Sequence, residues 1–175
     1  DIVGMIGHGI TVCYTDNGPS LNSTAELSLA LMLAAARSMT RGDASVRAGT
    51  FQMETPEGFV LAGKTIGLLG VGRIGARMAT YCNALGMRVL FFDTADRLAL
   101  GNARRCGNLD ELLAESDVVT LHVDGRASNS SLFGEEQFAR MRPGSIFLNL
   151  SRGFVVDHES LRAHYPRAED IGALH

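Results

Sequence analysis

From Lys64 onward, short apolar runs alternate with stretches whose apolar residues recur every three or four positions. The runs TIGLLG (Thr65 to Gly70), RVLFFD (Arg88 to Asp93), DVVTLHV (Asp117 to Val123) and SIFLNL (Ser145 to Leu150) are almost continuously apolar. That pattern predicts strands buried on both faces rather than strands with one wet face. Between the first two, Ile74, Met78, Tyr81, Cys82 and Leu85 form a helical stripe. NLDELLAES predicts a helix capped by Asn108, with Asp110 and Glu111 in its first turn. GEEQFARM predicts another, stopped at Arg142, Pro143 and Gly144. Strands interleaved with helices are the mark of βαβ units, so the fold class expected is α/β with a parallel sheet.

Ahead of this alternation, the segment from Asn22 to Gly42 is rich in Leu and Ala and apolar nearly all round. It predicts one helix over 22–42, capped by Ser23 or Thr24, with Glu26 in its first turn. A helix of that composition is expected to be buried between other elements. Gly49, Pro56, Gly58 and Gly63 then mark a loop-rich passage before the first strand.

Composition narrows the function classes. The 175 residues, 46% of them hydrophobic, suffice for one globular domain with a real core. Sixteen basic and 19 acidic residues leave a net charge of -3 with no block of like sign. Nucleic acid and anionic membranes are therefore not expected partners. The longest apolar stretch, Leu27 to Ala36, falls far short of the ~20 residues of a spanning helix. Cys13, Cys82 and Cys106 form no CxxC pair and are odd in number, which predicts free thiols, no metal site and a cytoplasmic location. The chain opens on Asp1 without an initiator Met and closes on AEDIGALH without a helix stop, so a fragment is expected.

Candidate chemistry lies at two strand ends. Gly70-Val71-Gly72-Arg73-Ile74-Gly75 is a GxGxxG placed between a predicted strand and a predicted helix, and Asp93 ends the next strand. In that context Gly70 permits the tight turn, Gly72 lets the backbone approach a pyrophosphate, and Gly75 allows close packing of helix on strand. The helix N-terminus offers free N–H groups to phosphate oxygens. Asp93 can accept hydrogen bonds from an adenosine ribose, and its charge opposes a 2′-phosphate, which predicts NAD rather than NADP. The sheet is therefore expected to be a Rossmann-type, doubly wound one. At the end of the last predicted strand, Asn149-Leu150-Ser151-Arg152-Gly153 occupies the edge where open α/β sheets bind ligands. By position alone Arg152 is either a surface ion-pair partner or a planar fork for a carboxylate.

GLLGVGRIGARMA, ALGMRVLFFD, SDVVTLHV and MRPGSIFLNLSRGFVVDHESL, in this order, resemble the nucleotide-binding domain of the D-isomer-specific 2-hydroxyacid dehydrogenases. STAELSLALMLAAAR is similar to the long helix by which that family crosses between its two domains, and LGMRVLFFDTADRLALGNA is most like the phosphoglycerate dehydrogenase branch. The resemblance implies an NAD-dependent oxidoreductase acting on a small 2-hydroxy or 2-keto acid. It implies residues 1–20 as a remnant of the substrate domain, 21–41 as the crossing helix, and 21–175 as an NAD-binding domain truncated at its end. It places the amides of Arg73 and Ile74 at the pyrophosphate and Asp93 at the ribose, with His122, Val123, Leu150 and Ser151 along the cofactor groove. Arg152 becomes the substrate-binding and catalytic arginine, while His122 is assigned no catalysis. A homodimer through the crossing helix is also implied. The family's catalytic histidine and its orienting glutamate would fall beyond His175, so the chain alone is expected to lack turnover. The alternative expectation is a non-catalytic, NAD-binding regulatory module of the same family.

Overall fold

The computed structural model describes Met5, Gly7, His8, Thr11 and residues 18–50, 58–97, 101–165 and 173–174. Most of the stretch expected to be a substrate-domain remnant, together with Cys13 and His175, lies outside the described residues.

Among the described residues, six parallel strands form one sheet: β1 Thr65–Leu69, β2 Arg88–Phe92, β3 Arg104–Arg105, β4 Val118–Leu121, β5 Ile146–Asn149 and β6 Ala173–Leu174. Their spatial order is β3-β2-β1-β4-β5-β6, and every pairing is parallel. This is the doubly wound order in which the chain reverses direction between β1 and β4, and that reversal opens a crevice at the strand ends. β1, β4 and β5 are buried along their whole length, as their unbroken apolar runs predict.

Successive side chains of each strand enter two separate cores. Ile66, Leu68, Val89, Phe91, Val118, Ile146 and Leu148 point to one face. There they meet Ala25, Met32 and Ala36 of α1 (Gly18–Ala36) and Met78, Ala79 and Cys82 of α3 (Arg73–Ala84). Leu69, Leu90, Val119, Leu121 and Phe147 point to the other. They pack on Leu112 and Leu113 of α4 (Leu109–Glu115), Phe138 of α5 (Glu135–Arg140) and Leu161 of α6 (His158–His164). Phe133, Phe138 and Phe147 centre this second core, with ring centroids 4.7 to 5.1 Å apart. Cys82 and Cys106 are buried free thiols. No helix of the described residues is long and apolar enough to cross a membrane.

The helix expected over 22–42 is a different object. α1 starts four residues earlier, at Gly18, and ends at Ala36, while α2 runs separately over Met39–Arg47. Thr24 is not a cap: its hydroxyl donates to the carbonyl of Ser20, one turn back within the helix. The break is imposed by chain that returns from further along. The carbonyl of Ala36 accepts the N–H of Phe59 at 2.8 Å, the backbone of Gly58 packs against Ala36 and Arg37, and Ser38 turns left-handed at φ 49°. Nor is α1 covered all round, because Leu27 remains 54% exposed on its outer side.

Candidate functional site

The crevice is built where β1, β2 and β4 end. Gly70 leaves β1 with φ 89°, a left-handed conformation that favours glycine, and a Cβ there would press on the carbonyl of His122. Gly75 sits in the first turn of α3, where a Cβ would collide with the carbonyl oxygen of Gly70. These two glycines close the turn on itself. Gly72, between them, is the opposite case: a Cβ there would meet nothing within 4 Å among the described residues. Gly72 is also the N-cap of α3, and no side chain caps the helix. Uncapped amides at Arg73 and Ile74 beneath open space make a seat for an anionic oxygen.

Asp93 is tied into this turn. Its Oδ2 accepts the N–H of Val71 at 2.8 Å, and its Oδ1 accepts that of Ala95 at 2.8 Å. Arg97 Nε stands 3.6 Å from the carboxylate. Burial by itself would raise the pKa of Asp93. The two amides and the Arg97 guanidinium outweigh it, so the group is held below the ordinary carboxylate value. Arg105 fixes the turn beyond, donating to the carbonyls of Asp93 and Ala95 and to the carboxylate of Asp96. The carboxylate is thus ionised and fixed, and each oxygen keeps a lone pair for a further donor.

Of the residues singled out from sequence, Gly70, Gly72, Asp93, His122 and Val123 line one cavity of about 220 Å³. Phe92, Leu109 and Leu132 add apolar walls, and Asp124, Arg126 and Asn129 close its rim. The rim is internally braced: Arg126 pairs with Asp124, and Asn129 Nδ2 donates to the Asp124 side chain at 3.0 Å and to its carbonyl at 2.9 Å. Sequence reasoning missed this brace and the Arg105 clamp, since neither follows a periodic pattern. His122 is half-buried. Its Nε2 shares a 3.1 Å hydrogen bond with the hydroxyl of Thr120, while its Nδ1 is buried without a partner among the described residues. Burial pushes its pKa down to about 4, so the imidazole is neutral at pH 7.

Leu150, Ser151 and Arg152 lie at the end of β5, outside that cavity's lining. Asn149, buried at the strand end, organises them. Its Oδ1 accepts from the Ser151 amide at 3.1 Å and the Ser151 hydroxyl at 2.6 Å, and its Nδ2 donates to the Arg152 carbonyl at 3.2 Å. The exposed Arg152 side chain lies across the bare backbone of Gly125, whose Cβ, were there one, would stand 3.2 Å from Arg152 Cγ. Through Gly125 the arginine therefore abuts the loop that carries the cavity rim. Among the described residues no group of three or more His, Cys, Asp or Glu could hold a metal ion.

A glycine turn at a strand end with an aspartate beside it points to a nucleotide-binding class, and comparison with known proteins gives the family. The NAD binding domain of the D-isomer specific 2-hydroxyacid dehydrogenases matches residues 29–173, and the chain belongs to that family. It is an NAD-binding domain of a family of oxidoreductases acting on the CH–OH group of donors. Within the family it is 39% identical over 165 residues to a D-3-phosphoglycerate dehydrogenase of Archaeoglobus fulgidus, covering 92% of this chain and 31% of that protein. The D-3-phosphoglycerate dehydrogenase of Escherichia coli K12 is 37% identical over 147 residues, covering 83% and 36%. Among solved structures, D-lactate dehydrogenase from Aquifex aeolicus complexed with NAD and lactic acid superposes with a TM-score of 0.87 at 32% identity, covering 98% of this chain and 52% of that one. The chain thus spans about a third of the length of the curated relatives it matches.

Proposed function

We propose that residues 21–175 serve as the NAD-binding domain of a cytoplasmic D-3-phosphoglycerate dehydrogenase, the enzyme class that opens serine biosynthesis by oxidising a 2-hydroxy acid. The relatives named for that activity, at 37–39% identity, support the substrate. The observation that carries the cofactor reading is the uncapped N-terminus of α3 under open space at Gly72, with Asp93 fixed beside it.

Bound NAD would supply the hydride acceptor. This chain's residues bind and orient. The amides of Arg73 and Ile74 hold phosphate oxygens, aided by the partial positive charge of the helix end. Asp93 accepts from a ribose hydroxyl, and its fixed negative charge disfavours a phosphate in that place. Val123 lines the groove, and Leu150 and Ser151 carry it toward Arg152. Arg152 grips the substrate carboxylate and the C2 oxygen, hydroxyl before hydride transfer and keto after it, through its planar fork, with its backbone fixed by Asn149. Residues 1–20 are a remnant of the substrate domain and its connection, and the protein is a homodimer through the crossing helix.

Titration of the chain with NADH and NADPH tests the cofactor reading: NADH is expected to bind more tightly, and equal or tighter NADPH binding would refute it. For the substrate, NADH oxidation is followed with 3-phosphohydroxypyruvate and with simple 2-keto acids. The phosphorylated acid should be preferred by any form of the protein that turns over.

A further inference from the structure

Gly125 is a glycine that the backbone does not require. It is not among the residues with positive φ, so no left-handed turn demands it. Nor does backbone crowd it, as it crowds Gly70 and Gly75, where the nearest atom a Cβ would meet is a carbonyl oxygen. At Gly125 the three nearest atoms all belong to side chains: Arg152 Cγ at 3.2 Å, Arg152 Nε at 3.5 Å and Phe154 Cζ at 3.8 Å. What the missing side chain leaves is therefore a seat for the arm of Arg152, with the ring of Phe154 beside it. The seat is braced. Asp124 and Arg126, on either side of Gly125, pair with each other, and Asn129 donates to the Asp124 carboxylate and carbonyl. The arm itself is otherwise little constrained: among the described residues its guanidinium makes one hydrogen bond, from Nη1 to the Ser151 carbonyl at 3.1 Å, and no ion pair.

We infer that Gly125 is the positioning residue of Arg152: the bare backbone at 125 seats the arm of the arginine, and from that seat its fork meets the substrate carboxylate. The inference rests on the role proposed above for Arg152. A long, exposed arginine ordinarily spreads over many rotamers, and a ligand that uses it must first order it. An arm already laid in a seat costs less to order, and two N–H groups of a planar fork reach one carboxylate together only when the arm is aimed. A side chain at 125 would occupy the seat. Because Arg152 is exposed and free to move aside, the loss should fall on carboxylate affinity and not on the fold.

The experiment uses the 175-residue chain with its arginines ¹⁵N-labelled, and oxamate as the probe, an unreactive carboxylate with an adjacent carbonyl oxygen. In the parent chain the Arg152 side chain is expected to show nuclear Overhauser contacts to the Gly125 Hα atoms, and its Nε–H resonance should move as oxamate is added in the presence of NADH. Arg152→Gln should abolish oxamate uptake. Gly125→Leu should shift the Arg152 Nε–H resonance before any ligand is added and weaken oxamate about tenfold, the size of one charge-assisted hydrogen bond. Gly125→Ala, whose methyl displaces the arm by less, should weaken it about threefold. Melting temperature and NADH affinity should match the parent in both glycine variants. A fall in either that accompanies the loss of oxamate would make the glycine structural and overturn the inference. A parent chain that takes up no oxamate, or whose uptake survives Arg152→Gln, refutes the role of Arg152 and takes this inference with it. Uptake lost in Arg152→Gln but kept in Gly125→Leu refutes this inference alone.

Discussion

Acidifying the protein from pH 7 to pH 5 should cost about 2 kcal/mol of folding stability through His122 alone. The imidazole is pushed down from its ordinary 6.5 to about 4 by burial, so between those values the unfolded chain binds a proton that the folded chain refuses. Stability from this group is complete above about pH 6.5 and is lost as pH falls toward 4. The carboxylates held low by hydrogen bonds and ion pairs, Asp93, Glu111, Asp124 and Asp157, act in the same sense but further down. Their ordinary values are 3.8 for Asp and 4.5 for Glu, so their loss falls mainly below pH 5. Urea unfolding at pH 7 and pH 5, for the parent chain and for His122→Asn, isolates the histidine, because the variant should lack this part of the pH dependence. Equal stability of the parent at both pH values would refute the reasoning. So would an identical loss in the variant, which would assign the effect to other groups.

The glycine turn gives a paired prediction. Gly75→Ala drives a methyl into the Gly70 carbonyl and should lower stability by about 1–3 kcal/mol along with NADH affinity, whereas Gly72→Ala should leave the melting temperature unchanged and reduce NADH affinity alone. Gly67→Ala, inside β1, would place a methyl 2.5 Å from Leu112 Cδ2 and should destabilise the chain by about 1–3 kcal/mol in a thermal melt by pushing α4 off the sheet. Asp93→Ser removes the charge beside Arg97 and should narrow or invert the preference for NADH over NADPH, measured by titrating both; an unchanged ratio would show that the acid does not set it.

Much of the architecture was legible because the four central strands are buried on both faces, and burial of that kind leaves an uninterrupted apolar run. The α4 cap was legible for a different reason: Asn108 does accept the Glu111 amide at 2.8 Å, a short-range contact that spacing alone foretells. Two strands were not legible. Arg104–Arg105 and Ala173–Leu174 are two residues long at the sheet's edges, too short for any period. The boundary between α1 and α2 was hidden because it is imposed by Gly58 and Phe59 returning from far along the chain, while the local composition stays helical. In the site, Gly70 and Gly75 stood out because their backbone positions demand glycine. Of the locks behind them, Arg105 behind Asp93 depends on a long side chain crossing between elements, while Asn149 under Arg152 is a local contact to the next two or three residues that carries no periodic signal. Only the i, i+2 spacing of Thr120 and His122 could have signalled their pairing.

That the Gly70 to Gly75 turn and Asp93 together seat a dinucleotide is directly measurable. Amide ¹H–¹⁵N spectra of the chain, recorded as NADH is added, test it residue by residue. Saturable shifts should be largest at Val71, Gly72, Arg73 and Ile74 and extend to the 93–97 turn and Val123, with α6 unmoved. Saturable binding whose shifts fall elsewhere, or no shifts in that turn at millimolar NADH, would contradict it.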